Sequence, residues 1–188
     1  MLKRKTKYNC MKNLLIIPFL LFNFYTYSQC ETNETTLDDG KKVISMTEKF
    51  YQNNDLENGA KTFYVSTNNF IFSQDKSILD IAVTYISTRS SYWIIPNSLK
   101  IGLISGREIN LKAKEKSSQT LNRIKSIPSI SKGIECYFQI DYSDLLALLN
   151  ADKITYLKVS DYKTGQTFDI TPNYKGKLNE MIKCVMKI

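Results

Sequence analysis

Histidine is absent from the 188-residue chain. That absence excludes Ser-His-Asp and Cys-His catalysis, histidine zinc sites and imidazole acid–base chemistry. The four cysteines include no Cys-x-x-Cys pair, which argues against thioredoxin-like redox chemistry. Gly102 and Gly106 lack the spacing of a dinucleotide-binding loop, and no Lys-Ser/Thr follows them as in a Walker motif. Long apolar runs are missing too. A membrane-spanning helix needs about 20 apolar residues, whereas Asn13–Phe22 is half that length and contains Pro18.

What is present first is a leader pattern. Met1–Lys12 carries Lys3, Arg4, Lys5, Lys7 and Lys12 and no acid; the apolar Asn13–Phe22 follows, and Phe24-Tyr-Thr-Tyr-Ser28 turns polar and small. A charged, then apolar, then small-residue region is the plan of a secretory signal peptide, here residues 1–28, cut between Ser28 and Gln29. Met11 is an alternative start, since Met11-Lys-Asn already supplies a basic first region. A lipoprotein with Cys30 as the lipidated residue is the rival reading, disfavoured because Gln29 is too large for the position before such a cysteine. The expected location is therefore exported: periplasmic, cell-surface or extracellular, with no transmembrane segment in the mature chain.

Removal of the leader changes the charge. The chain has 26 Lys+Arg and 18 Asp+Glu, and five of the bases but none of the acids precede Gln29, so the mature part has 21 against 18, a net of +3. A nucleic-acid binder shows a domain-wide excess of base, so nucleic acid is not an expected partner. Gln29–Ile188 is 160 residues, one ordinary domain able to bury a core without staples. It reads as an N-terminal segment over 29–60 with one short strand, followed by a single α+β domain over 61–188. Cys30, Cys136 and Cys184 remain after cleavage, an odd number that suits one bridge and one buried thiol in an oxidising compartment. Cys136 alternates with Ile134, Phe138 and Ile140 and reads as core. Cys30 with Cys184, near the two ends, is the preferred pair, and Cys136 with Cys184 the alternative.

Along the chain, Glu31–Asp39 is an acidic segment without EF-hand spacing. Lys42–Met46 predicts a short strand and Tyr51–Gly59 a loop. Lys61–Ser66 predicts a strand broken by Thr67-Asn-Asn69, with Phe70–Phe72 and an alternating Ser77–Thr88 strand beyond it. Trp93, the one tryptophan, reads as a core anchor rather than a stacking platform. Leu99–Leu111 predicts a hairpin turning at Ser105-Gly106. Lys112, Lys114, Lys116, Arg123 and Lys125 then gather against Glu115, the best candidates for an anion contact, although no aromatic residues interleave them. Glu135–Ile140 predicts a strand. Asp141 caps a helix with Asp144 three residues on. Lys153–Val159 and Thr167–Ile170 predict strands around a Thr164-Gly165 turn. Leu178, Met181, Ile182 and Val185 stripe a last helix that begins near Pro172, with Cys184 at the stripe's edge.

The expected fold is α+β, one mainly antiparallel sheet with two C-terminal helices, near 142–150 and 173–187, packed on one face. No catalytic, cofactor or metal-binding residue is assigned and no cofactor is implied. The expected function is a non-catalytic binding or interaction module with an unidentified protein or envelope partner. The alternative is a carboxylate-dependent hydrolase acting on an envelope polymer, because two acids suffice for glycoside hydrolysis. Asp141 and Asp144 are the closest pair, while Asp80, Glu108 and Asp169 cannot be paired from sequence.

Gln29-Cys30-Glu31, Ile104-Ser-Gly-Arg-Glu-Ile109, Asp144-Leu145, Leu148, Ile154, Leu157, Val159, Gly165 and Lys183-Cys184-Val185 together resemble an uncharacterised group of small secreted bacterial proteins. The resemblance spans most of the mature chain. It implies a strand–helix–strand–turn–strand–helix ending and places a cysteine at each end, which favours Cys30 and Cys184 as partners. It implies no active-site residues.

Overall fold

Alternation of β-branched and aromatic residues gives ten strands among the described residues. The computed structural model describes residues 30–55, 59–73, 76–87, 94–114, 119–121, 132–151 and 153–188. The strands are β1 (Asn33–Thr36), β2 (Lys42–Asp55), β3 (Gly59–Ser73), β4 (Lys76–Ser87), β5 (Pro96–Leu103), β6 (Glu108–Lys112), β7 (Gln119–Leu121), β8 (Lys132–Gln139), β9 (Ile154–Asp161) and β10 (Thr167–Asp169). Two helices among the described residues follow the same numbering, α1 (Tyr142–Leu149) and α2 (Lys177–Met186). The chain divides into Met1–Cys30 and Glu31–Ile188, and every one of these elements belongs to the second unit. The expected leader (residues 1–28), the expected cut before Gln29 and Trp93 lie outside the described residues.

The strands form two antiparallel sheets. Six lie in the order β1-β2-β3-β4-β8-β7 and four in the order β10-β9-β5-β6. β2 pairs with β3 from Lys42 to Asp55, so the segment before residue 60 is integral to the larger sheet. β4 is central, flanked by β3 and β8. Its Ile81, Val83 and Tyr85 are fully buried. They join Phe63, Val65, Cys136 and Phe138 from the neighbouring strands and Leu99, Ile101, Leu157 and Val159 from the smaller sheet in one core cluster. The Phe63 ring lies 5.1 Å from that of Tyr85 and 5.9 Å from that of Phe168, so an aromatic row links β10 to the larger sheet.

The expectation of one sheet with two helices covering its face is overturned. β5, β6, β9 and β10 are a second sheet, and its apolar side shares the core that the helices were expected to close. Among the described residues α2 is the helix that borders strands most: Lys177 bridges Glu48 of β2 at 2.8 Å, and Asn69 of β3 donates its amide to the Val185 carbonyl at 3.2 Å. Its Leu178, Met181, Ile182 and Val185 are buried as the stripe predicts. α1 meets α2 instead, and its Asp144 reaches the β5–β6 turn, pairing with Arg107 at 2.6 Å. The reason is length. α1 has eight residues and α2 ten, too little apolar surface to cover a six-stranded sheet, whereas Leu99, Ile101, Ile109, Leu111, Ile154, Leu157 and Val159 supply it at period two.

Cys30 and Cys184 are disulfide-bonded to each other. Cys136 is a free, buried thiol whose pKa burial pushes up to about 11. No described helix is long and apolar enough to cross a membrane.

Candidate ligand-binding face

The smaller sheet turns one side to the core and the other to solvent, because the central stretches of its strands alternate. On β6 the buried Ile109 and Leu111 alternate with the exposed Glu108, Asn110 and Lys112. On β5 and β9 the outward positions are Ser98, Lys100 and Gly102, and Tyr156, Lys158 and Ser160. Register aligns them into rows. Lys112 faces Ser98, which faces Ser160 and then Thr167; Asn110 faces Lys100, then Lys158 and Asp169; Glu108 faces Gly102 and then Tyr156.

Tyr156 is fixed in this grid from several sides. A Cβ added at Gly102 would stand 2.3 Å from Tyr156 Cε1 and 2.6 Å from both Cδ1 and Cζ. Those distances place the face of the ring, not its edge, over the glycine, and only glycine leaves room for it. The Tyr156 hydroxyl donates to Glu108 Oε2. The Lys158 ammonium stands over the ring, 4.7 Å from its centroid. Glu108 also accepts from Asn110 at 2.9 Å and bridges Lys100 at 3.5 Å. These contacts, the tyrosine hydroxyl foremost, hold the Glu108 carboxyl below the usual range, and the same bond raises the Tyr156 phenol. Asp169, at the far side, accepts from the Thr171 hydroxyl and N–H. Burial works to raise its pKa, but those bonds, with Lys158 and Lys175 nearby, bring it below its ordinary value.

Of the bases expected to contact an anion, Lys112 lies on this face and has no hydrogen-bond or ion-pair partner among the described residues. Lys114 does not lie beside it. The chain leaves the smaller sheet at Ala113, whose N–H still bonds Asn97, and Lys114 N–H already bonds Tyr137 of β8. The Lys114 ammonium pairs with Asp80 at 3.1 Å. Lys116, Arg123 and Lys125 lie outside the described residues. Sequence reasoning missed Lys100, Gly102, Tyr156 and Lys158. The available signals were two alternations, Lys-x-Gly and Tyr-x-Lys, but their being neighbours is a fact of register.

The carboxylates are committed elsewhere. Asp141 accepts the Asp144 N–H at 2.8 Å and the Ser143 hydroxyl at 3.0 Å, which caps α1 and lowers the Asp141 pKa. On the outer side of the larger sheet, Glu135 accepts from Tyr137 at 2.5 Å and from Thr84 at 3.0 Å. Burial, and then that bond to Glu135, push the Tyr137 phenol upward. Asp80 lies opposite Gln139 and Glu135 opposite Thr84, so their backbone positions are on the order of 14 Å apart. Each turns to its own partners.

No family model, curated protein or solved structure matches this chain. The face must therefore be read from its own chemistry.

Proposed function

We propose that this chain is an exported binding module with no catalytic role, and that the solvent side of β6, β5, β9 and β10 is its contact surface. The observation that carries the reading is the grid itself: three lysines and a fixed tyrosine on one solvent-facing side of an antiparallel sheet. Fixing Tyr156 by Gly102, Glu108 and Lys158 reduces the ordering cost that binding otherwise meets. Export is supported by the leader pattern and by the Cys30–Cys184 bridge, since such bonds persist in oxidising compartments. The bridge also uses the sulfur that a lipid anchor at Cys30 would require. The mature form should begin at Gln29 with an unmodified Cys30 thiol after reduction; a diacylglycerol found on Cys30 by mass spectrometry would overturn that part.

The contact surface is tested by co-sedimentation of the mature protein with the envelope fraction of its source. Charge reversal by Lys100→Glu with Lys158→Glu should abolish sedimentation, and reversal at Lys41, in the β1–β2 turn of the larger sheet, should not. Sedimentation unaffected by the first pair would overturn the assignment of the face.

A further inference from the structure

We infer that the face takes a linear acidic polysaccharide, whose carboxylates are met by Lys112, Lys100 and Lys158 and whose hydroxyls are met by Ser98, Asn110, Ser160 and Thr167. This rests on the reading of that face as the contact surface. Lys100 and Lys158 are direct cross-strand partners. Their Cβ atoms are therefore about 5 Å apart, and like charges so placed destabilise a sheet unless something compensates them. Inside the chain the compensation is partial: Lys100 reaches Glu108 at 3.5 Å, both being well exposed, while Lys158 rests on the Tyr156 ring and faces the Asp169 carboxylate across β9–β10, leaving three lysines against two acids on this face. Lys112, diagonal to Lys100 at about 8 Å, has no partner among the described residues. The three lysines lie on three adjacent strands, Lys112 one register row away from the directly paired Lys100 and Lys158. A flexible chain with one carboxylate per sugar ring can meet them in succession.

Two features select a sugar polymer over a nucleic acid. The neutral positions between the lysines are hydroxyls and a carboxamide, able both to donate to and accept from sugar hydroxyls. The one aromatic ring on the grid already carries Gly102 against its face and the Lys158 ammonium over it, which leaves no bare platform for a base to stack on.

The test is calorimetric titration of the disulfide-bonded mature protein with polygalacturonate, neutral dextran and single-stranded DNA. Polygalacturonate should bind, dextran should not, and DNA should bind at least tenfold more weakly. Raising salt from about 50 to about 500 mM should weaken polygalacturonate binding at least tenfold, because exposed charges are then screened within a few ångströms. Lys100→Gln with Lys158→Gln should weaken it by a similar factor at low salt, with the thermal midpoint unchanged or raised. Equal binding of dextran, DNA binding as tight as polygalacturonate, or an unaffected double variant would each overturn the inference. If envelope sedimentation needs the lysines but polygalacturonate does not bind, the contact surface stands and the acidic-sugar assignment fails.

Discussion

Gly102 is a residue whose value lies in what it omits. A methyl at this position would meet the Tyr156 ring at 2.3 Å, so Gly102→Ala must lift the ring from the sheet. The ring is half-buried and can move, so the cost should be about 1 kcal/mol rather than that of an overpacked core. Urea unfolding should show that loss in the parent and almost none in a Tyr156→Ala background, since the clash needs both partners. Asp161 shows the opposite case, a buried carboxylate held by many donors. It accepts the Ile95 N–H at 2.8 Å, the Thr164 N–H at 3.1 Å and the Thr164 hydroxyl at 2.8 Å. Burial alone would raise its pKa, but those bonds together leave it lowered. Asp161→Ala should cost about 2–3 kcal/mol by stranding its donors. Because the folded pKa is the lower one, the carboxylate's contribution is present above the unfolded value of about 3.9 and is lost as pH falls through the folded value. The gap in urea midpoint between the parent and Asp161→Asn should accordingly be widest at pH 7 and narrow progressively as pH falls below the unfolded value. Residues of the face were only half legible beforehand. Lys112 was found because bases cluster around it, whereas Lys100 and Lys158 are 58 positions apart in sequence and meet only through the β5–β9 register.

At the level of elements, local signals located turns and caps well and strand ends badly. The Ser105-Gly106 and Thr164-Gly165 turns lie where expected because each needs a left-handed residue: Gly106 has φ of 85° and Gly165 of 67°. Asp141 likewise caps α1 as its sequence announces. Thr67-Asn68-Asn69 was read as a break, yet β3 runs straight through it. Ladder partners on both sides supply what local propensity does not, and the Asn69 amide finds the end of α2. The Tyr51–Gly59 loop shrinks for the same reason, since β2 and β3 stay paired out to Asp55 and Gly59. The cap is the feature that can be tested singly. Asp141→Ala removes the acceptor for the Asp144 N–H and should cost about 1 kcal/mol, while Asp141→Ser should restore most of it. Urea midpoints of the three proteins check this. Equal stability of the alanine and serine variants would show that the helix is held from its buried side, through Leu148, rather than by its first turn.

Across the molecule, the count of cysteines proved more informative than any motif. Three cysteines beyond residue 29, one in an alternating apolar strand and two near the ends, favoured Cys30–Cys184 while leaving Cys136–Cys184 open, and the bridge is the favoured one, with Cys136 free and buried. The second sheet was not legible in the same way. Both sheets are antiparallel and both alternate, so the sequence pattern records that each strand has an apolar side without recording which sheet receives it. The bridge joins Cys30, three residues before β1, to the last turn of α2 and therefore spans almost the whole described chain. The Lys187–Glu34 ion pair, 2.8 Å long, joins the same two ends but is exposed and adds little by itself. Closing so long a loop removes unfolded-state entropy equivalent to about 5 kcal/mol in the chain-entropy model. Because that effect acts on the unfolded chain, Cys30→Ser with Cys184→Ser should lower the stability of the entire cooperative transition rather than loosen one end. Calorimetry of the oxidised parent and of the double variant should each show one transition, with the variant's shifted down by several degrees or more. A variant that keeps the parent's midpoint but loses protection from hydrogen exchange only in β1 and α2 would mean instead that the bridge merely pins the ends.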